Sequence, residues 1–135
     1  MVVLIASLGA NKDSWKKINI LSTIYEWEKI YYLCDEFSYH NYNLNDKHKE
    51  TKIKLMVLDV EKTTTILSEF FKNHIKDLEI ALNLESGEGI GHMLILSSIL
   101  KSGLGIRLVY INENNSLKEI NIYPKQDSFN SEFYF

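Results

Sequence analysis

Two short segments of the chain carry glycines and polar groups of the kind that bind anionic ligands. The first, Glu85 to His92, reads ESGEGIGH and stands between a predicted strand and a predicted helix. Its glycines would bring backbone N–H groups close to a ligand at the positive end of that helix. The spacing departs from the dinucleotide fingerprint G-x-G-x-x-G because His92 stands where the third glycine belongs. The segment predicts either an anion site of another kind or a tight turn that only requires glycine.

The second segment is the polar stretch SLGANKDSW, from Ser7 to Trp15. Lys12 would be a partner for phosphate, and hydroxyl and amide groups stand on either side of it. These hydrogen-bonding groups belong to Ser7, Asn11 and Ser14. A solvated turn, in which Asp13 or Ser14 caps the next helix, explains the same residues without a ligand.

Other reactive side chains predict less chemistry. The four histidines do not form an H-E-x-x-H pattern, so no metal site is predicted. Cys34 is the single cysteine, which excludes an internal disulfide and a cysteine-rich zinc site. Its aromatic neighbours favour a buried, inert thiol. We therefore expect neither a metal nor a bound cofactor.

The hydrophobic pattern predicts the elements that position the two segments. Predicted strands cover Val2 to Leu8, Lys29 to Phe37, Ile53 to Val60, Leu78 to Leu84 and Gly105 to Asn112, and LKEINIY is expected to pair with the last of these as a hairpin. Predicted helices cover Trp15 to Tyr25, Lys62 to Lys76 and Ile90 to Lys101, the last ended by Gly103. The stretch Ser38 to Thr51 has no clean period and predicts a loop or a short irregular helix.

Strands that alternate with helices at this spacing predict a Rossmann-like α/β three-layer sandwich. Its sheet is expected to be mainly parallel, with five to six strands and a C-terminal antiparallel hairpin. Ligands bind such sheets beyond the carboxyl ends of the strands, near the switch in strand order. The two segments, Ser7 to Asp13 and Glu85 to His92, therefore matter most. We predict one domain, residues 1–124, followed by a polar-aromatic tail or linker, residues 125–135.

Composition limits the partners. The 15 basic and 18 acidic residues give a net charge of -3, so no overall positive field attracts duplex nucleic acid. The apolar start lacks a basic region and a cleavage signal, and no stretch predicts a membrane span. We expect a cytoplasmic protein. The predicted helix Ile90 to Lys101 is apolar around nearly its whole circumference, which predicts burial on two sides and favours a homodimer.

The order of these motifs resembles the CRISPR-associated Rossmann fold (CARF) family. The resemblance is carried by ASLG at the end of the first strand, SGEGIGHM after the fourth, and GLGIRLVYIN before a closing hairpin. It implies a homodimer that binds cyclic oligoadenylate, a second messenger of type III CRISPR antiviral defence. The ligand-binding residues that it implies are Ser7, Leu8, Gly9, Asn11, Lys12, Ser86, Gly87, Gly89, His92 and Met93. Two interpretations stay open for Tyr31, Tyr32, Tyr39 and Tyr42: stacking on adenine, or packing within strands and loops.

Three functions stay open at this point. The resemblance favours a sensor that acts on an effector domain or a partner protein. The first alternative is a standalone ring nuclease, in which the 2'-hydroxyl of the ligand attacks without metal and Ser7, Lys12 and His92 are the catalytic candidates. The second is an unrelated Rossmann-like nucleotide-binding or structural protein. One departure from the family is the pair of carboxylates, Glu85 and Glu88, beside a site for a polyanion.

Overall fold

The computed structural model describes residues 2–55 and 59–124. Its strands are β1 (Val2–Leu8), β2 (Trp27–Cys34), β3 (Glu50–Lys54), β4 (Glu79–Asn83), β5 (Gly105–Ile111) and β6 (Leu117–Ile120). Its helices are α1 (Trp15–Ile24), α2 (Glu36–Asn41), α3 (Val60–His74) and α4 (Gly89–Lys101), and a 3-10 turn, Lys12–Ser14, precedes α1. The six strands form one sheet in the order β3-β2-β1-β4-β5-β6. All neighbours pair in parallel except β5 and β6, which confirms the predicted α/β class and its antiparallel hairpin.

The sheet is covered on both faces, as the continuous apolar run of β1 predicts. Side chains of β1 alternate between two core clusters. The first cluster also contains Ile18 and Leu21 of α1, together with Tyr42, which follows α2. The second contains residues of α3 and α4, namely Leu67, Phe71, Ile95 and Ile99. The chain is therefore a three-layer sandwich with β1 near its centre.

The second strand and the segment after it differ from the prediction. β2 begins at Trp27 and ends at Cys34, so the predicted end at Phe37 is wrong. The Asp35 side chain accepts a hydrogen bond from Ser38 N at 2.8 Å and caps α2. This cap starts a short helix at Glu36, inside the predicted strand, and the helix continues into the stretch for which a loop or a short irregular helix was predicted.

The third strand is also shifted. It runs from Glu50 to Lys54, whereas the sequence predicted Ile53 to Val60. Val60 begins α3, because the Asp59 side chain accepts from Lys62 N at 3.0 Å and caps that helix. Residues 56–58 of the predicted strand and the predicted tail, residues 125–135, lie outside the described residues.

The strand order creates the place for a site. From β1 the chain moves outward to β2 and β3, and it then returns to the other side of β1 to form β4 and β5. The order therefore reverses between β1 and β4, where a crevice opens beyond the carboxyl ends of the strands. Among the described residues, no helix is both long enough and apolar enough to cross a membrane.

Candidate functional site

A cavity of about 440 Å³ lies at this reversal. The loops after β1 and β4 form most of it, as the sequence predicted. Six of the ten predicted ligand-binding residues line it: Ser7, Leu8, Gly9, Asn11, Ser86 and Gly87. The other four, Lys12, Gly89, His92 and Met93, belong to the same two segments but do not line the cavity.

A chain of hydrogen bonds joins the two loops. Gly9 N donates to Ser86 Oγ at 2.8 Å, the Ser86 and Ser14 hydroxyl oxygens are 2.6 Å apart, and Ser14 Oγ donates to Asn11 O at 2.7 Å. Because a carbonyl only accepts, the single hydroxyl proton of Ser14 goes to Asn11 O. Ser86 must therefore donate to Ser14. The bonds all run in one direction, an arrangement in which each bond polarises the next.

The two loops also touch through their glycines. A Cβ atom on Gly9 would lie 2.6 Å from the Cα atom of Gly87, so no larger residue fits at position 9 without moving the backbone. Gly87 has φ +84°, which side chains rarely adopt, and a Cβ there would meet Ser7 Oγ at 2.5 Å. The close approach of the two loops accounts for both glycines, and the sequence did not predict this contact.

Ser7 is one of the buried polar residues that line the cavity. It is 5% exposed, yet its hydroxyl makes no hydrogen bond to another described residue. Ser7 Oγ is not one of the fully buried polar atoms of the described residues, so it keeps access to the cavity. The unpaired hydroxyl therefore indicates a position at which a ligand or a water molecule completes the hydrogen bonding.

The cavity also adjoins the start of α4. Glu88 is the N-cap residue of this helix, and its side chain does not cap it. The first N–H groups of a helix lack partners within the helix, and together they carry a partial positive charge. Glu88 and Gly91 line the cavity, which places this helix end beside Ser7.

His92 is held by the loop that precedes it. Its Nε2 atom lies 2.8 Å from the carbonyl oxygen of Ser86. A carbonyl only accepts, so Nε2 carries the proton and Nδ1 is the acceptor of the neutral ring. His92 therefore positions the loop through Nε2, and Nδ1 is the atom left for other contacts.

Some lining residues were not predicted. Asp35 follows β2 and Leu55 follows β3, and both reach the cavity because these strands lie beside β1. Ser38 Oγ donates to Leu8 O at 2.7 Å, which fixes α2 and Asp35 against the end of β1. The carboxyl ends of parallel strands lie at one edge of the sheet, so residues after β2 and β3 could have been candidates. Choosing them required the strand order, which the sequence did not provide.

The carboxylates of the second loop take different places. Glu85 Oε1 accepts from Asn83 Nδ2 and from Ile111 N, each at 2.9 Å, and its Oε2 accepts from Lys17 Nζ at 3.4 Å. Glu85 thus joins the end of β4 to β5. Glu88 makes no comparable bond to the described residues and remains exposed at the rim.

The sequence also predicted roles for the thiol of Cys34 and for four tyrosines. Cys34 is buried, as predicted, and burial raises the pKa of its thiol to about 11. Tyr31, Tyr32 and Tyr42 are buried in the core, so the hypothesis that they stack on a ligand is wrong. Tyr39 is partly exposed and lies under the ammonium groups of two lysines.

Metal binding and similarity to known proteins give no further assignment. Within residues 2–55 and 59–124, no group of three or more His, Cys, Asp or Glu side chains could hold a metal ion. No protein-family model matches the chain, and no curated protein is significantly similar to it. What stands is an α/β fold with a mostly parallel six-stranded sheet and a cavity at its switch in strand order.

Proposed function

We propose that the chain is a dimeric sensor that binds a cyclic oligoadenylate, as its resemblance to CARF proteins implies. The observation that carries the proposal is the cavity at the reversal of strand order, with the unpaired Ser7 hydroxyl in its lining. Backbone N–H groups at the start of α4 and the Ser7 hydroxyl are donors suited to phosphate oxygens. The family resemblance supplies the identity of the ligand.

The exposed side of α4 supports a dimer. Met93 is 61% exposed, and Ile90, Leu96 and Leu100 are exposed with it, while Leu94, Ile95 and Ile99 pack into the core. This apolar stripe begins beside Gly91, which lines the cavity. A second copy on the stripe would bury these side chains and bring two cavities close together, as a ring-shaped ligand with repeated phosphates requires.

The sensor is favoured over the ring nuclease by the positions of the catalytic candidates. Ser7 lines the cavity, but Lys12 does not, and the Nε2 atom of His92 is bound to Ser86 O. Cleavage would need a group that takes the proton of the attacking 2'-hydroxyl, and neither Lys12 nor His92 lines the cavity. Cleavage therefore remains the second outcome of the test below.

Incubation of the full chain with cyclic tri-, tetra- and hexa-adenylate, followed by chromatography, tests the proposal. We expect retention of one ring size, unchanged. Linear products ending in 2',3'-cyclic phosphate would support the ring nuclease. No binding of any of the three would refute both, and would leave an unrelated nucleotide-binding or structural protein.

A matched pair of serine variants locates the site. Ser7→Ala removes a hydroxyl that makes no hydrogen bond to the other described residues, so the protein should stay folded and bind the ring about 5- to 10-fold more weakly. Ser116→Ala, in the turn between β5 and β6, is the control: its hydroxyl also makes no hydrogen bond to the described residues and it does not line the cavity, so the affinity should stay unchanged. Equal affinity of wild type and Ser7→Ala would remove Ser7 from the site.

A further inference from the structure

An aromatic surface that is partly exposed adjoins the cavity. Phe37 is 41% exposed and stands two residues after Asp35, which lines the cavity. Trp15 follows Ser14, another lining residue, and is partly exposed. The two ring centroids are 6.0 Å apart, with 31° between the planes. We call these two rings the Trp15–Phe37 surface.

The Trp15 ring is fixed in place. Its Nε1 atom donates to Gly9 O at 2.8 Å, so the ring is tied to the loop that forms the cavity. The edge-to-face contact with Tyr42, at 5.5 Å and 89°, holds it from the core side. A ring with so little freedom loses little entropy when a ligand packs on it.

A single cation lies over the same surface. Lys12 Nζ is 5.6 Å from the centroid of Phe37 and 6.0 Å from that of Trp15. Among the described residues, no carboxylate lies within ion-pair distance of this ammonium group. Flat apolar faces beside an unpaired cation are complementary to a flat ring that carries an anionic group, which is the chemistry of a nucleotide.

We propose that the Trp15–Phe37 surface stacks one purine ring of the bound ligand and that Lys12 pairs with its phosphate. The proposal rests on the proposed function for the ring-shaped ligand, but it needs only a nucleotide. Stacking of a base on an aromatic side chain is stronger than an exposed cation–π contact. The base therefore displaces the ammonium group of Lys12 from the rings, and the flexible lysine stem lets it reach the phosphate.

Tryptophan fluorescence tests the stack in the wild-type protein. The chain has two tryptophans, and Trp27 is 1% exposed, so quenching by a solvent-borne ligand reports Trp15. The probes are cyclic tetra-adenylate, AMP and ribose 5-phosphate. We expect the two adenine-containing probes to quench the fluorescence, and ribose 5-phosphate to bind without quenching. Binding of adenine-containing probes with no change in fluorescence would overturn the stack.

Substitution of Phe37 provides the second readout. Phe37→Ala should weaken binding of the adenine-containing probes about 10-fold, within the range for one base–aromatic stack. Phe37→Tyr should restore it, and ribose 5-phosphate should bind all three proteins equally. The control is Leu78→Ala, which removes another exposed apolar side chain. Leu78 precedes β4, so it lies at the amino ends of the strands, away from the cavity.

The two proposals fail separately. If cyclic tetra-adenylate binds with equal affinity to wild type and Phe37→Ala, the stack is overturned and the proposed function stands. If AMP quenches Trp15 and depends on Phe37 while no cyclic oligoadenylate binds, the stack is supported and the proposed function fails. If no probe binds, both are overturned.

Discussion

The contact between Gly9 and Gly87 allows a steric test of how the two loops hold the cavity. In Gly9→Ala, the added Cβ would lie 2.6 Å from Gly87 Cα and 2.7 Å from Gly87 N. Both are backbone atoms, so no rotation of a side chain relieves the overlap. Gly9 itself does not have a positive φ, so alanine is not excluded by conformation. The whole effect must come from pushing the loops apart.

The expected cost follows from two contributions. Overpacking of this kind costs about 1 to 3 kcal/mol. Separation of the loops also breaks the bond from Gly9 N to the buried Ser86 hydroxyl, and groups left unpaired there cost about 1 to 3 kcal/mol. The backbone movement that relieves the overpacking is also the one that breaks this hydrogen bond, so the two costs do not add in full. We expect Gly9→Ala to lose about 2 to 4 kcal/mol of unfolding free energy.

Gly91→Ala is the matched control. A Cβ at Gly91 would meet only Leu55 Cδ2, at 3.7 Å, an ordinary contact. Gly91 lies within α4, where alanine is preferred to glycine by about 0.5 to 1 kcal/mol, so this variant should be more stable than wild type. Urea unfolding measures both, and the slope with denaturant should stay unchanged. If Gly9→Ala unfolds at the wild-type urea concentration, the loops are not held by this contact.

Three further predictions concern the dimer, the thiol and the buried carboxylate. Leu100→Glu, on the exposed stripe of α4, should give a folded monomer in light scattering; a wild-type monomer at micromolar concentration would contradict the dimer. Burial raises the pKa of the Cys34 thiol from 9.0 to about 11, so the unfolded chain loses this proton first as the pH rises. Between pH 9 and 11 the free energy of unfolding of the wild type should therefore fall by about 2 kcal/mol relative to that of Cys34→Ala. Below pH 8 the difference between the two proteins should not change with pH. Tyr32→Phe removes the hydroxyl that donates to buried Glu50 at 2.8 Å and should cost about 2 kcal/mol in thermal or urea unfolding, whereas an unchanged midpoint would show that Glu50 is satisfied by its backbone donors alone.

The strands at the centre of the sheet could be predicted from the sequence, but those toward one edge could not. β1 and β5 are runs of apolar residues bounded by glycine or polar residues, so their predicted limits agree with the structure to within a residue. β2 ends early because the Asp35 side chain bonds to the backbone and caps a helix. Such a local bond competes with strand pairing, and the aromatic-rich sequence around Asp35 favoured the strand in the prediction. β3 is half-exposed and carries lysines, so its pattern is weak.

The candidate site could also be predicted only in part. Its two loops were predictable because ligands bind where strands end near a switch in strand order. The bond between Ser14 and Ser86 joins residues 72 positions apart, and nothing in the local pattern of either segment predicts it. Asp35 and Leu55 reach the cavity only through the order in which β2 and β3 pair beside β1, which the sequence leaves open.

The acidic residues around the cavity are the main electrostatic obstacle to an anionic ligand, and the structure reduces it. Asp35 accepts a hydrogen bond from Ser38 N and caps α2, and Glu85 accepts from backbone and amide groups and pairs with Lys17. Both carboxylates thus serve the fold and have their charge partly offset. Glu88 is exposed at the rim, where water and salt screen it, and two unit charges 4 Å apart in water interact by only about 1 kcal/mol. One or two hydrogen bonds donated to a phosphate by N–H groups at the start of α4 or by the Ser7 hydroxyl would outweigh that repulsion.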